Sequence, residues 1–289
     1  MNAATVATRP SLPRRLGHFA RKQKAASFGL VVLFAMILCA VFAPWISPYD
    51  PNEQNIILNL AAPSAEHWFG NDTFGRDTLS RVIWGARVSL FVAFTSILLA
   101  MVVGGLLGVI AGYFGGRTDR VIMAVMDVLL SFPSLVMGLL VVAVLGPTLV
   151  NLIVAIAFTA VAPFARIARA PTLSIRNREF VDAARSFGMS DWRIMLRYIL
   201  PNIADEVVVL GTLWLATAVR TEASLSFIGL GVRPPTPTWG GMIRDGFENM
   251  LDSPWLVVMP SLAILAVMIA LNMIGDGLRD ATDPRLRQE

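Results

Sequence analysis

Six stretches of the chain are apolar over lengths close to those that cross a bilayer. They are Phe28–Ile46, Ser89–Phe114, Val121–Leu145, Thr148–Phe164, Val207–Gly231 and Pro254–Ile274. A helix needs about 20 mostly apolar residues to span the hydrocarbon layer. None of the stretches alternates with the period of two that a membrane-barrel strand requires. Open strands cannot satisfy their backbone groups in lipid. The pattern therefore predicts an all-α membrane protein with six transmembrane helices. The fifth stretch is the weakest, because Arg220 and Glu222 interrupt it after Val219. It spans only if those two side chains face the bundle interior or the interface. Pro133 is expected to kink the third helix.

The polar segments between these stretches divide the chain. Residues 1–27 read as a tail, 28–275 as the six-helix domain and 276–289 as a second tail. Residues 47–88 and 232–253 form two loops on one side, the second carrying the stiff run "VRPPTPTW". Residues 165–204 form a long segment on the other side. Of the 24 Lys and Arg residues, 18 fall in the first tail, the 115–120 loop, the 165–204 segment and the last tail. The positive-inside rule places both termini and the 165–204 segment in the cytoplasm. This bias also accounts for the pI of 9.8 without calling for nucleic acid. The basic first tail is suited to contact with anionic lipid. Composition agrees with a membrane location: 55% of residues are hydrophobic and 15% charged, against about 25% charged in soluble domains.

Several chemistries are excluded. The chain has two lysines, Lys22 and Lys24, and neither follows a glycine, so it has no phosphate-binding GxxxxGK loop. The single Cys39 forms no intrachain disulfide and reads as a buried core thiol. His18 and His67 lie far apart, and neither a zinc-protease nor a serine-hydrolase motif is present. The basic start before the first apolar run has the order of a signal peptide. Its long polar lead and near-spanning apolar run favour a retained first helix.

One segment breaks the pattern: "EFVDAARSFGMSDWRIMLRYILPN", Glu179 to Asn202. It sets Glu179, Asp182, Arg185, Asp191, Arg193 and Arg197 among apolar residues at helical spacing. Ala183 and Ala184 favour helix, and Gly188 suits the left-handed residue after a helix end. Ser190 is placed to cap a second short helix with Asp191 in its first turn. Leu200-Pro201 is expected to redirect the chain toward the next span. A helix resting on the membrane surface needs a continuous apolar face, which the glycine corner interrupts. Docking to a cytoplasmic partner is the better reading.

The order Asp182-Ala183-Ala184, three residues, Gly188, nine residues, two more and then Leu200-Pro201 resembles the EAA loop of ABC importer permeases. Two positions depart from the common pattern. Asp182 stands for Glu and keeps the charge on a shorter arm, and Tyr198 stands where Ile is usual. Three further stretches resemble the dipeptide/oligopeptide/nickel permeases of the second-permease (C-subunit) type. They are "HWFGNDTFGRDTLSRVIWGARVSL" (His67–Leu90), "EASLSFIGLGVRPPTPTWGGMI" (Glu222–Ile243) and "GDGLRDATDPRLR" (Gly275–Arg287).

The resemblance implies a type I ABC importer permease bundle in the bacterial inner membrane. It implies half of a translocation pathway, with di- or oligopeptides as cargo. Nickel chelates, glutathione or another small solute are the alternatives. The implied partners are a second permease, two ATP-binding subunits and an extracytoplasmic substrate-binding protein. ATP would be used by the partners, with no cofactor bound to this chain. Asp182, Ala183, Ala184, Gly188, Leu200 and Pro201 would form the ATPase-coupling element. A scaffold or receptor docking a non-ATPase partner is a different class of reading. An intramembrane enzyme would need clustered polar residues that the spans lack.

Outside that element, Asp127 and Glu222 are candidates for a gate or pathway, against structural roles as an inter-helix hydrogen bond and a buried polar contact. Asp77 and Arg81 have the spacing of an i, i+4 helical pair, expected at a solvated helix start or against the substrate-binding protein. Trp239 and Trp255 read as interfacial anchors. Gly104, Gly105, Gly108 and Gly112 form a small-residue stripe that predicts close helix packing, within the chain or against a second permease.

Overall fold

A computed structural model describes residues 23–282. Nine helices carry the fold among them: α1 (Lys24–Val41), α2 (Thr78–Phe114), α3 (Gly116–Ser131), α4 (Ser134–Leu145), α5 (Leu149–Ile175), α6 (Glu179–Ser186), α7 (Asp191–Phe227), α8 (Trp239–Phe247) and α9 (Trp255–Thr282). Single turns at Ala43–Ile46 and Ile56–Leu58 lie in the first loop. Among the described residues the only β pairing is an isolated bridge between Asn71 and Asp77. Five helices, α1, α2, α5, α7 and α9, are each long and apolar enough to span a membrane, and α3 with α4 makes a sixth, broken span.

The break differs from the expected kink. α3 and α4 meet at 94°. Phe132 is extended, with φ −93° and ψ 138°, as a residue before proline prefers. Pro133 is the N-cap of α4 and has no N–H to donate, so no helical hydrogen bond bridges the corner. The other spans begin before their apolar runs or continue past them. α1 begins at Lys24. α2 begins at Thr78, where the Asp77 carboxylate accepts from the Ser80 backbone N–H at 2.7 Å. α5 continues past Phe164 to Ile175 with Pro163 and Pro171 inside it. The five basic residues Arg9, Arg14, Arg15, Arg21 and Lys22 of the first tail, and Arg285 and Arg287 of the last, lie outside the described residues.

The glycine stripe resolves to packing within the chain. α2 lies along α5 with Gly104, Gly108 and Gly112 at the contact. A Cβ at Gly112 would stand 2.8 Å from Thr172 Cβ, and one at Gly104 or Gly108 would run into the backbone carbonyl of Val161 or Ala165. Ala157, Ala160, Ala165 and Ala168 of α5 are buried in the same core. Without a hydrophobic force between helices in lipid, such close backbone approach is what holds them. Cys39 is only half-buried, so it is not the core thiol expected.

The first loop folds onto the start of α2 around buried charges. Arg81 pairs with Asp72 at 3.4 Å and donates to the Pro51 carbonyl at 2.9 Å. Arg76 pairs with Asp72 at 2.6 Å. His67 Nδ1 lies 2.9 Å from Asp77 Oδ1. Asp77 and Arg81 are therefore not each other's partners. Asp77 is already committed to capping α2, and both residues are buried rather than solvated. Trp239 is also a core residue rather than an anchor. It is fully buried, and its Nε1 donates to the Val82 carbonyl at 3.0 Å.

Candidate functional site

The 179–202 segment forms a helix, a glycine corner and a second helix. Glu179 and Asp182 occupy the first turn of α6 and Arg185 its last, the charge order that suits the helix dipole. Val181 and Ala184 are buried on one face. Asp182, Ala183, Arg185 and Ser186 are exposed on the other. Gly188 has φ +72°. Its N–H donates to Arg185 O at 2.9 Å and the Met189 N–H to Ala184 O at 3.1 Å. This pair of bonds is a Schellman end. A Cβ at Gly188 would meet nothing within 4 Å. Backbone conformation, not contact, therefore requires glycine at this position.

The second helix departs from expectation in two ways. Ser190 occupies the N-cap position of α7, but its side chain makes no capping bond. The Asp191 carboxylate instead accepts from the Tyr113 hydroxyl at 2.6 Å. Leu200-Pro201 does not redirect the chain. A five-residue π turn, Met195–Ile199, precedes it, and Pro201 enters in the first turn of the α-helical stretch that follows. At that position the missing N–H has little cost. The second short helix is thus the first two turns of the span itself.

Tyr113, a residue the sequence reading passed over, fixes the corner. It ends α2. Its ring lies under the Arg185 guanidinium at 5.2 Å, while its hydroxyl holds Asp191. Arg176 Nη1 donates to the carbonyls of Gly112 and Tyr113 at 3.0 and 3.3 Å, satisfying the end of α2. The Tyr113 side chain beside it also holds the Arg185 guanidinium above its usual pKa. The available sequence signal was a lone tyrosine one residue before the end of an apolar run that stops at Gly115-Gly116. Its partners lie 72 and 78 positions away in sequence.

The opposite side of the corner is open. Phe187 is 84% exposed and Trp192 52%. Asp182 pairs with Arg185 at 3.2 Å at the surface. Ser190, Trp192, Arg193, Leu196, Arg197 and Pro201 line a shallow groove of about 470 Å³. Leu200 is half-buried behind it. The arrangement offers an apolar knob flanked by both signs of charge, mounted on the end of a long span.

Asp127 and Glu222 belong to other places. Asp127 Oδ1 accepts from Arg166 Nη2 at 2.6 Å, joining α3 to α5 on an exposed surface. Asp119 and Arg169 make a second bond between the same helices. Glu222 is fully buried in α7. The Ser226 hydroxyl donates to its Oε1 at 2.7 Å, while Oε2 is buried without a hydrogen-bond partner. Arg220, two residues before it, is exposed. Among the described residues no group of three or more His, Cys, Asp or Glu side chains is placed to hold a metal ion.

Comparison with known proteins places this architecture. Residues 104–288 match the family model described as "Binding-protein-dependent transport system inner membrane component". Residues 19–63 match the "N-terminal TM domain of oligopeptide transport permease C". The chain is 43% identical over 267 residues to the dipeptide transport system permease protein DppC of Alkalihalophilus pseudofirmus, covering 92% of this chain and 88% of that one. It is 41% identical over 270 residues to the di/tripeptide permease DppC of Pseudomonas aeruginosa, covering 91% and 89%. It is 40% identical over 270 residues to the glutathione permease GsiD of Pectobacterium atrosepticum, covering 93% and 89%. Among solved structures, the inward-facing MetNI methionine ABC transporter superposes with a TM-score of 0.56 at 18% identity, covering 71% of this chain and 98% of that one. At that identity the likeness carries the fold alone. With a family model running from the second half of α2 through α9 and relatives at 40% identity or more over nine-tenths of its length, this chain belongs to the inner-membrane components of binding-protein-dependent transport systems.

Proposed function

We propose that the chain is one of two permease subunits of an ATP-driven importer of di- and oligopeptides. The single observation that carries this reading is the α6–Gly188–α7 corner. It is held to α2 by Tyr113 and Arg176, yet presents Phe187 and Trp192 outward, beside an Asp182 whose ion pair with Arg185 lies at the surface. Two ATP-binding subunits supply the missing surface. Their closure pushes the corner, and α7 carries the displacement into the bundle without a hinge, because helix and span are one element. A ligand-driven change of this kind requires a bundle with two states, one of which the ATPase pair binds better. ATP binds the partners and not this chain, which has no phosphate loop.

In this reading both termini and the corner are cytoplasmic, as the charge bias supports. The Asp72–Arg76–Arg81 platform faces outward, toward a substrate-binding protein. Asp127 and Glu222 are the gate or pathway candidates. The peptide permeases among the relatives favour peptide cargo, and the glutathione permeases support a γ-linked tripeptide as the second reading.

The test is purification of the tagged chain in mild detergent with mass spectrometry of its partners. Two ATPase subunits and a second permease are expected. Asp182→Arg, which reverses charge at the exposed face of α6, is expected to weaken ATPase recovery while the second permease stays bound. Recovery of the chain with unrelated proteins only, under conditions that keep a known transporter together, would make the scaffold reading the stronger. Uptake of a labelled dipeptide, with unlabelled glutathione as competitor, separates the two cargo readings.

A further inference from the structure

A cavity of about 850 Å³ lies between α1, α2, α7 and α9, away from the corner. This is within the range of about 300–1,000 Å³ that small-molecule sites occupy. Its walls are apolar: Leu33 and Ile37 of α1, Phe91 of α2 and Leu271 of α9. Besides Thr236 of the second loop, two residues with polar groups interrupt them, both on α2. The Trp84 Nε1–H is buried without a hydrogen-bond acceptor. The Arg87 guanidinium stands over the Trp84 ring at 5.7 Å. None of the ion pairs among the described residues includes Arg87. Phe91 and Phe94, at the rim, are 53% and 59% exposed.

The polar and apolar parts are ordered along the membrane normal. Arg87 and Trp84 lie near the start of α2, beside Thr236 and Pro237 of the second loop. Leu33 and Leu271 lie in the middle of their spans. From Arg87 to Phe94 the helix rises about 10 Å, which descends from the interface well into one leaflet. We propose that this cavity is a binding site for an anionic phospholipid. One acyl chain fills the apolar slot, and the phosphate accepts from Arg87. A cation outside the ion pairs of the described residues, above a slot whose lining is mostly apolar, is complementary to an anionic headgroup on a hydrocarbon tail. A protein helix in the same slot would leave Arg87 without an acceptor unless it brought its own acid. The site stands on the membrane placement of the helices and does not depend on the cargo or the ATPase partners.

The test uses the purified complex exchanged against vesicles of equal parts phosphatidylglycerol and phosphatidylcholine. Lipid retained after detergent washing is quantified by mass spectrometry. Phosphatidylglycerol is expected to be enriched. Arg87→Gln is expected to lower its retention about five-fold, the effect of one cation near an anionic headgroup. Arg87→Lys keeps the charge and should retain it. Ile37→Trp fills the slot from a partly exposed position and should displace both lipids. Unchanged phosphatidylglycerol in Arg87→Gln and Ile37→Trp overturns the site. If Arg87→Gln fails to fold, the Arg87→Lys and Ile37→Trp pair decides alone. A photo-crosslinker at Phe91 that captures the second permease instead of lipid also overturns it, by showing that protein fills the cavity.

Discussion

The Tyr113 hydroxyl donates to Asp191 Oδ1 across 2.6 Å and thereby ties the end of α2 to the start of α7. Arg185 of α6 lies on the same ring. One side chain thus joins the two helices of the corner to the span that packs most closely on α5. A push on the corner must either move α2 or break this bond.

Tyr113→Phe tests that link with little change of shape. It keeps the ring beneath Arg185 and removes only the hydroxyl. A hydrogen bond to a charged acceptor contributes about 1.5–3 kcal/mol. The acceptor Asp191 is exposed, which puts the expected loss of stability near the lower end. Assembly with the ATPases should persist, and uptake per ATP hydrolysed should fall. An unchanged ratio of uptake to hydrolysis would show that the corner moves the bundle through α7 alone.

Gly188 separates conformation from contact. Its φ of +72° is costly for a residue with a Cβ and most costly for a β-branched one. The surrounding space is nevertheless empty. Gly188→Asn, which tolerates this region, is expected to retain most uptake. Gly188→Val is expected to leave insertion intact and to uncouple ATP hydrolysis from transport. The two variants are read side by side in proteoliposomes. Equal uptake in both would mean that the turn is not a rigid element of the lever.

These residues show where the sequence was legible. Gly188 and the alanines before it are local signals, and a local turn realises them. The α2 glycine stripe announced close packing. Its partner was not written locally, because α5 lies more than 40 positions further on. Pro133 marked the position of the break between α3 and α4, but a proline specifies a missing hydrogen bond and not an angle of 94°. At Leu200-Pro201 the same rule misled, since the π turn before it shifts the carbonyl register and lets the helix run on. Asp77 and Arg81 had helical spacing, yet the fold of the first loop brought His67 and Asp72 to them instead. Here charge partners from the loop leading into α2 override the i, i+4 spacing of Asp77 and Arg81 at a buried helix start.

The Asp127–Arg166 pair reports what surrounds it. Both side chains are largely exposed on this chain, 61% and 54%. In water an exposed ion pair contributes at most about 1 kcal/mol. In lipid, leaving one partner alone costs about 2.5–3.5 kcal/mol. A double-mutant cycle with Asp127→Asn and Arg166→Gln, read by thermal unfolding of the assembled complex, distinguishes the two. A coupling below about 1 kcal/mol is expected, as for a water-lined pathway or gate. A coupling above about 2 kcal/mol would place the pair against lipid and remove Asp127 from the pathway.

Glu222 is the sharper case, because its surroundings are fixed by this chain. It is fully buried. Ser226 donates to one carboxylate oxygen, and the other has no hydrogen-bond partner. No arginine is paired with it among the described residues. A buried acid in such a place has no cation that a neutral replacement would strand. Glu222→Gln keeps the volume and the acceptor for Ser226. It is therefore expected to fold and assemble with a stability change within about 1 kcal/mol. Glu222→Ala removes the acceptor and opens a cavity, for an expected loss of about 2–4 kcal/mol. The gate role predicts that Glu222→Gln lowers uptake several-fold although the complex is intact and hydrolyses ATP. Because α7 is continuous from the corner to this residue, a displacement of Trp192 reaches Glu222 along a single helix. Full uptake in an intact Glu222→Gln complex would assign the acid to packing alone and leave Asp127 as the remaining gate candidate.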